Sequence, residues 1–365
     1  MLLPILASAL ILFGSPYVGQ IRSSLRSSFP DEYPWIIGGV TATAAVAAIA
    51  WAVVRLRQSE HDPLPDRSAG QPLWARYTLV IAAVAVSAVY ARAVSSGDSE
   101  VDLVEAFHFV EYGLVAYLFY RRWHIRPDVS GVAFSACAGV ALGIADEWVQ
   151  WFVPGRVGEM HDILLNAVAV GCGLSVSMAV HPPLSVALPA RRASRLALGA
   201  AVSGLLLAFA GFVDQVHLGY EIQDGQAGLF RSRYDGQALA AAAANRPGRW
   251  KVSPPPDRGF RHEDHYLSEG EWHVQRRNIA VGTRDWQTVL GEDAILERFY
   301  APVLEIRGRW SAEQRSEFER NARGHERGSY RSDAAPYPIY VINRPTFWAI
   351  TLLVAVFVMW LGARV

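Results

Sequence analysis

Long apolar runs separated by short polar turns fill the chain up to residue 213. A membrane helix needs about 20 mostly apolar residues to cross the hydrocarbon. Seven runs meet or approach that length: 2 to 19, 35 to 54, 74 to 94, 103 to 120, 129 to 150, 161 to 180 and 196 to 213. An eighth, "PTFWAITLLVAVFVMWLGARV", covers 345 to 365. Pro4, Gly14 and Pro16 interrupt the first run, and Glu105, His108 and Glu111 interrupt the fourth. The opening "MLLPILASALILFG" has no basic residue ahead of its apolar stretch, so it reads as an uncleaved first span rather than a signal peptide.

The pattern changes between spans seven and eight. Residues 214 to 344 are rich in charged and aromatic side chains, contain "VSPPPDRG" and "DAAPYPIY", and hold no span. They read as a separate module of mixed helix and strand. "QALAAAAANR" and "SAEQRSEFERNARGH" are expected to be helical, and "EWHVQRRNIAVG" and "PYPIYVINR" extended. "LFRSRYDGQAL" and "LERFYAPVLEI" are expected to supply core and turn segments. The expected fold is an all-α polytopic membrane bundle of about eight helices, with an extracytoplasmic α+β module between the last two. The parts are 1 to 73 (two N-terminal spans), 74 to 180 (a four-helix core), 181 to 213 (the seventh span), 214 to 344 (the module) and 345 to 365 (the last span).

Charge then orients the spans, because Arg and Lys close to a span favour the cytoplasmic side. Arg55, Arg57 and Arg67 lie between spans two and three, Arg121, Arg122 and Arg126 between four and five, and Arg191, Arg192 and Arg195 between six and seven. The loop between spans three and four instead carries Asp98, Glu100, Asp102 and Glu105. Both termini are therefore expected in the cytoplasm and the module outside, in a multi-pass protein of the inner or plasma membrane.

On this orientation the ionisable residues of spans four, five and six all fall towards the outer side. Glu105, His108 and Tyr112 share a helical face, with Glu111 three residues after His108; Asp146 and Gln150 share another, beside Glu147; Asp162 and Asn166 share a third. Even lenient insertion scales put a charged residue at the helix centre at roughly 2.5 to 3.5 kcal/mol. Such groups need partners, and Arg156, His108, Gln150 and Asn166 are the available ones. Asp162 has a plainer role open to it as a helix cap, Asn166 as interhelical glue, Trp148, Trp151 and Phe152 as interface residues, and Arg156 as a group reaching for phosphates. As a unit, the cluster reads as a site: Glu105, His108, Asp146, Glu147 and Asp162 are the candidates for chemistry, and Glu111, Gln150, Arg156 and Asn166 those for binding. Gly139, Gly143, Gly171 and Gly173 are expected to let helices five and six approach closely.

Composition agrees with a membrane protein, at 52% hydrophobic and only 19% charged. Lys plus Arg equals Asp plus Glu at 34 each, so no basic excess argues for nucleic acid. Cys137 and Cys172 sit in apolar runs and read as packing residues. His262, His265 and His273, with Glu263, Asp264 and Glu271, lack a metal-site spacing, so no metal and no cofactor is expected.

The motifs "HFVEYGLVAYL" and "GIADEWVQWFVPGRVGEMHDILLNAVAVGCG" resemble the VanZ-like family of polytopic membrane proteins in the order and approximate spacing of His, Asp-Glu, Gln, Pro-Gly-Arg, Asp and Asn. The resemblance covers about 74 to 180. It implies signature positions at Glu105, His108, Glu111, Asp146, Glu147, Gln150, Arg156, Asp162 and Asn166. It also implies an influence on susceptibility to teicoplanin-type glycopeptides, through a biochemical mechanism the family does not define. The long module is a departure from the family pattern. Three functions follow: binding of an amphiphilic or lipid-linked envelope molecule at the outer leaflet, acid/base catalysis on a lipid-linked substrate, or proton-coupled transport. Transport is weakened by the small, apolar "GVAFSACAGVALG" and "AVAVGCGLSVSMAV" towards the other ends of the same helices. Membrane lipids or lipid-linked molecules are the expected partners, and the module is placed to contact an envelope protein.

Overall fold

The computed structural model of the chain describes residues 2–61, 72–95, 99–153, 157–249, 265–322 and 329–364. In chain order the first elements are α1 (Leu2–Ser28), α2 (Tyr33–His61), α3 (Leu73–Val94), α4 (Ser99–Trp123), α5 (Ser130–Phe152), α6 (Met160–Val180) and α7 (Arg192–Val216). There follow β1 (Tyr220–Asp224), β2 (Gly228–Ser232), α8 (Gly236–Arg249), α9 (His265–Thr283), α10 (Trp286–Phe299), α11 (Ala301–Arg307), α12 (Ala312–Asn321) and α13 (Arg344–Arg364). The chain divides into two compact units, one of Met1–Gln150, Gly158–Gly211 and Ala349–Val365, the other of Trp151–Val157 and Phe212–Trp348.

The first unit is a helical bundle. Six of the described helices, α2, α3, α5, α6, α7 and α13, are long and apolar enough to cross a membrane. The bent pair Leu2–Ser15 and Tyr17–Ser28 of α1 would add a seventh. α4 is long enough, at 25 residues, but Asp102, Glu105 and Glu111 break its apolar run. Its neighbours explain how it accommodates them: α4 packs on α6, and α1 and α2 also touch it. The bundle is centred on α6, where 56% of the apolar window is buried, against 11% for α2, α3 and α13. Tyr112, Val115, Ala116 and Tyr120 of α4 meet Leu142 of α5 and Ala169, Val170 and Leu174 of α6 in one apolar core.

Glycines set the helix crossings, since a missing Cβ lets two backbones close up. A Cβ on Gly139 would stand 2.7 Å from Val170 Cγ2, and one on Gly143 would stand 2.9 Å from Asn166 Cβ, so both serve the α5–α6 contact as expected. Gly171 and Gly173 do not. Gly171 faces open space, and a Cβ on Gly173 would lie 2.5 Å from Gly113 Cα of α4. The α6 glycine therefore brings α4, the charged helix, against the central one. α7 and α13 form their own pair, with Ser203 Oγ donating to Ala355 O at 2.9 Å.

The second unit is α+β but mainly helical. β1 and β2 form an antiparallel hairpin with Tyr220 opposite Ser232 and Asp224 opposite Gly228. Asp224 Oδ1 caps the turn by accepting from the amides of Gln226 and Ala227. Gly228 sits at φ 90°, a left-handed position that glycine tolerates, and a Cβ there would meet Tyr330 O. The core joins Phe230, Leu239, Tyr266, Leu267, Val274, Ile295, Leu296, Tyr300, Val303 and Leu304. Asp285 caps α10 through the Thr288 amide, and Ser311 with Gln314 forms a capping box on α12.

Two expectations fail here. "EWHVQRRNIAVG" lies within α9 and is not extended. Its β-branched and aromatic residues suggested strand, but Tyr266, Gly270, His273, Val274, Arg277 and Ala280 are all buried at three- and four-residue spacing, which is a helical face. "PYPIYVINR" makes no strand among the described residues. Its backbone pairs at a single point, the isolated parallel bridge of Tyr340 to the distant Leu218. "QALAAAAANR" in α8 and the first part of "SAEQRSEFERNARGH" in α12 are helical as expected.

Candidate functional site

At one end of the bundle, α4 through its N-terminal half, α5 through its C-terminal end and α6 through its first turns bring the polar residues of the sequence motif together. Gln150 is the joint. Its Nε2 donates to Asp146 Oδ2 at 3.2 Å and to Glu147 Oε1 at 2.9 Å, so one amide holds two carboxylates on the same helix. Tyr112 Oη donates to Asp146 Oδ2 at 3.1 Å from α4. Glu147 Oε2 accepts the backbone N–H of Glu159, the N-cap of α6, at 3.0 Å. An acid at the end of α5 thereby satisfies an orphan donor at the start of α6. Asp146, Glu147, Gln150 and Asn166 are all buried.

His108 completes this layer. Its Nδ1 lies 2.8 Å from Asn166 Oδ1, where Nδ1–H is the donor, and its ring stacks on Tyr112 with centroids 5.9 Å apart. The network is not closed. Asn166, fully buried, has an Nδ2 without a hydrogen-bond partner, and Asp146 Oδ1 likewise makes no well-formed hydrogen bond, although Ser15 of α1 stands beside that carboxylate. Glu111 lies within electrostatic reach of Asp146.

A second, more peripheral group surrounds the start of α6. Glu105, Glu159 and Asp162 lie within electrostatic reach of one another, with His161 beside Glu105. Tyr90 of α3 stacks on His161 at 6.5 Å. Glu159 stands outside the apolar helices. Burial, with Asp162 and Glu105 nearby, raises its carboxyl to about 7. Asp162 lies in the first turn of α6 rather than at its N-cap, where it complements the helix dipole.

The structure thus brings His108, Asp146, Glu147, Gln150 and Asn166 into one hydrogen-bonded layer, with Glu111 beside it and Glu105 and Asp162 in the outer group. Arg156 lies outside the described residues. Sequence reasoning passed over Ser15, Tyr90, Glu159 and His161. Glu159 and His161 flank the start of α6 within the same polar junction and could have been found there. Ser15 and Tyr90 are single polar groups in apolar helices and gave no periodic signal. Among the three module histidines, His262 lies outside the described residues, and His273 Nδ1 is 2.6 Å from Glu292 Oε2.

A helical bundle with six helices fit to cross a bilayer and a buried polar layer at one end is a multi-pass membrane protein. The family is identifiable as well: residues 2–181 match the family model described as VanZ/LLP1, and this part of the chain belongs to that family. The match includes α1 and α2, which the motif resemblance had left outside, and the placement of Ser15 beside Asp146 gives α1 a physical part in the shared layer. No curated protein and no solved structure matches the chain.

Proposed function

We propose that the Asp146–Gln150–Glu147 layer faces the outer leaflet and binds the polar head of an amphiphilic or lipid-linked envelope molecule, and that through this binding the protein influences susceptibility to lipid-anchored glycopeptides. The observation that carries the reading is the unfinished hydrogen bonding of the layer. A buried polar atom without a partner costs about 1 to 3 kcal/mol, and a head group entering from the interface would supply what Asn166 Nδ2 and Asp146 Oδ1 lack. Asp146 Oδ1 accepts and Asn166 Nδ2 donates, so the favoured head group carries groups that do both, such as sugar hydroxyls. In this arrangement α4 is an additional membrane span, its acids tolerated because they face the bundle interior.

The second reading, an intramembrane enzyme, rests on His108. Its Nδ1 is held by Asn166, which orients the ring and leaves Nε2 able to act as a base on a bound lipid. The two readings part on product. Lipids retained by the purified full chain would be compared for wild type, Asp146→Asn and His108→Gln, alongside lipid profiles of a deletion strain. Binding predicts that Asp146→Asn loses the retained lipid with no new lipid species in any strain. Catalysis predicts a lipid that accumulates in the deletion strain and with His108→Gln. If every variant retains the same lipids and leaves the lipid profile and glycopeptide susceptibility unchanged, both readings fail.

A further inference from the structure

The opposite end of the same bundle gathers basic groups. His181, the C-cap of α6, stacks on Tyr117 of α4 at 6.2 Å and lies 5.8 Å from the ring of His124. Arg121 Nη1 reaches Tyr117 Oη at 3.4 Å. Trp51 of α2 packs edge-on against Tyr117 at 5.0 Å, and Arg55 lies one turn further along that helix. Arg76 of α3, buried at 5% exposure, donates to the α6 carbonyls of Ala179 at 2.7 Å and Val180 at 3.3 Å. Three helices and the end of a fourth therefore direct basic groups at one aromatic-walled place.

The guanidiniums of this group are not neutralised by the protein. Among the described residues no carboxylate pairs with Arg55, Arg76 or Arg121, and His181 Nε2 is enclosed without a hydrogen-bond partner. Burial first, then Arg121, His124, Arg55 and Arg76, pull the His181 imidazole down to about 4, so at neutral pH it is an uncharged hydrogen-bonding group beside the guanidiniums. Arg residues near a span are ordinary on the cytoplasmic side. Convergence from separate helices onto stacked rings is not explained by that bias, which only asks for charge somewhere in the loop.

We propose that Arg55, Arg121, His124 and His181, backed by Arg76, form a second binding site, for a phosphate-bearing anion, occupied by the phosphate of an anionic membrane lipid. Arg55 and Arg121 are exposed and supply the direct contacts, guanidinium to phosphate being a strong, charge-assisted hydrogen bond. The aromatic wall of Trp51 and Tyr117 flanks the apolar part of the same lipid. A free phosphate would satisfy the cations equally, so the source has to be separated by experiment.

The delipidated full chain in neutral detergent would be exposed to phosphatidylglycerol, to phosphatidylcholine and to inorganic phosphate, and the adducts counted by native mass spectrometry. Wild type should retain phosphatidylglycerol over phosphatidylcholine, and the double variant Arg55→Gln/Arg121→Gln should lose about tenfold or more of that retention, as expected for two surface cations. The pair Arg191→Gln/Arg192→Gln removes equal charge from the start of α7 and should leave retention unchanged. Failure of inorganic phosphate at millimolar concentration to displace the lipid supports the lipid as occupant, whereas displacement supports a soluble phosphate in the same site. The proposal is overturned if the two double variants lose retention equally, or if neither phosphatidylglycerol nor phosphate binds in preference to phosphatidylcholine.

Discussion

The module and the bundle both bury carboxylates, and they treat them differently. In the module, Glu269 accepts from Ser232 Oγ at 2.6 Å, Tyr300 Oη at 2.8 Å and the Arg233 amide at 3.0 Å. Glu292 accepts from Ser332 Oγ at 2.6 Å, Tyr330 Oη at 2.7 Å and His273 Nδ1 at 2.6 Å. Asp293 takes Arg277 Nη1 at 2.8 Å, and that guanidinium lies 3.9 Å over the Trp310 ring. Every oxygen of Glu269 and Glu292 is thereby engaged, by groups that tie β2, α9, α10 and the returning 329–343 segment together. In the bundle, Asp146 and Asn166 keep buried atoms without partners. A saturated carboxylate is a structural joint, because nothing is left for a ligand to satisfy. An unsaturated one costs stability and is the place to look for function.

That contrast breaks first at Glu292. Glu292→Ala strands His273, Tyr330 and Ser332 in the module core and should destabilise the full chain by about 3 to 5 kcal/mol, the usual cost of breaking a buried charged network. Thermal unfolding followed by tryptophan fluorescence measures it. Lipid retention should fall only in proportion to the unfolded fraction. A Glu292→Ala chain that unfolds like wild type would mean that the module acids are not joints.

Gly143→Ala sharpens the comparison from the bundle side. The new methyl would stand 2.9 Å from Asn166 Cβ and 3.4 Å from its Nδ2, so α5 and α6 must part or Asn166 must leave His108. Overpacking of this kind costs about 1 to 3 kcal/mol. Retention of the bound lipid should drop by more than the stability loss explains. The control is Gly171→Ala, which meets open space and should change neither.

The pH response should also separate the two regions. Burial raises the Glu269 carboxyl against the pull of its hydrogen bonds, so the folded chain binds that proton more tightly than the unfolded one. The resulting stabilisation is present in full below the ordinary value of 4.5 and is lost as pH rises through the raised value. The thermal midpoint of wild type should therefore decline with rising pH above 4.5 more steeply than that of Glu269→Gln. Asp293, raised by burial as well, remains in both chains and cancels from the difference. Parallel curves for the two chains would show that Glu269 titrates alike in the folded and unfolded states.

How far these two regions could be read from the sequence differs for the same physical reason. In the bundle, hydrocarbon forbids unpaired polarity, so each charged residue in an apolar run was conspicuous, and helical spacing alone put His108 with Tyr112, Asp146 with Gln150 and Asp162 with Asn166 on shared faces. What spacing could not give was the partner across helices: Gly173 meets Gly113 of α4, and Glu147 reaches the Glu159 amide. In the module, charge is common on any surface, and the buried Glu269, His273 and Arg277 looked like their half-buried neighbour Glu271 and exposed neighbours Gln275 and Arg276. Their four-residue spacing was visible, but the β-favouring residues between them outweighed it. The long-range joint from Glu292 to Tyr330 and Ser332 had no local signature at all.

The smallest effect on stability is expected where the functional effect is greatest. Asp146→Asn keeps the side-chain shape, and its amide oxygen can still accept from Tyr112 Oη and Gln150 Nε2, which now donate to Asp146 Oδ2 at 3.1 and 3.2 Å. Replacing a buried carboxyl that makes no ion pair at contact distance among the described residues offsets part of any lost hydrogen bonding, so the thermal midpoint should move by the equivalent of about 1 kcal/mol or less. The head group, by contrast, loses an anionic acceptor, and charged hydrogen bonds contribute about 1.5 to 3 kcal/mol. Retention of the lipid should therefore fall roughly tenfold or more. A variant that is both as stable and as well loaded as wild type would place Asp146 with the saturated acids of the module, and the distinction between joint and site would have to be drawn elsewhere in the layer, at His108 and Asn166.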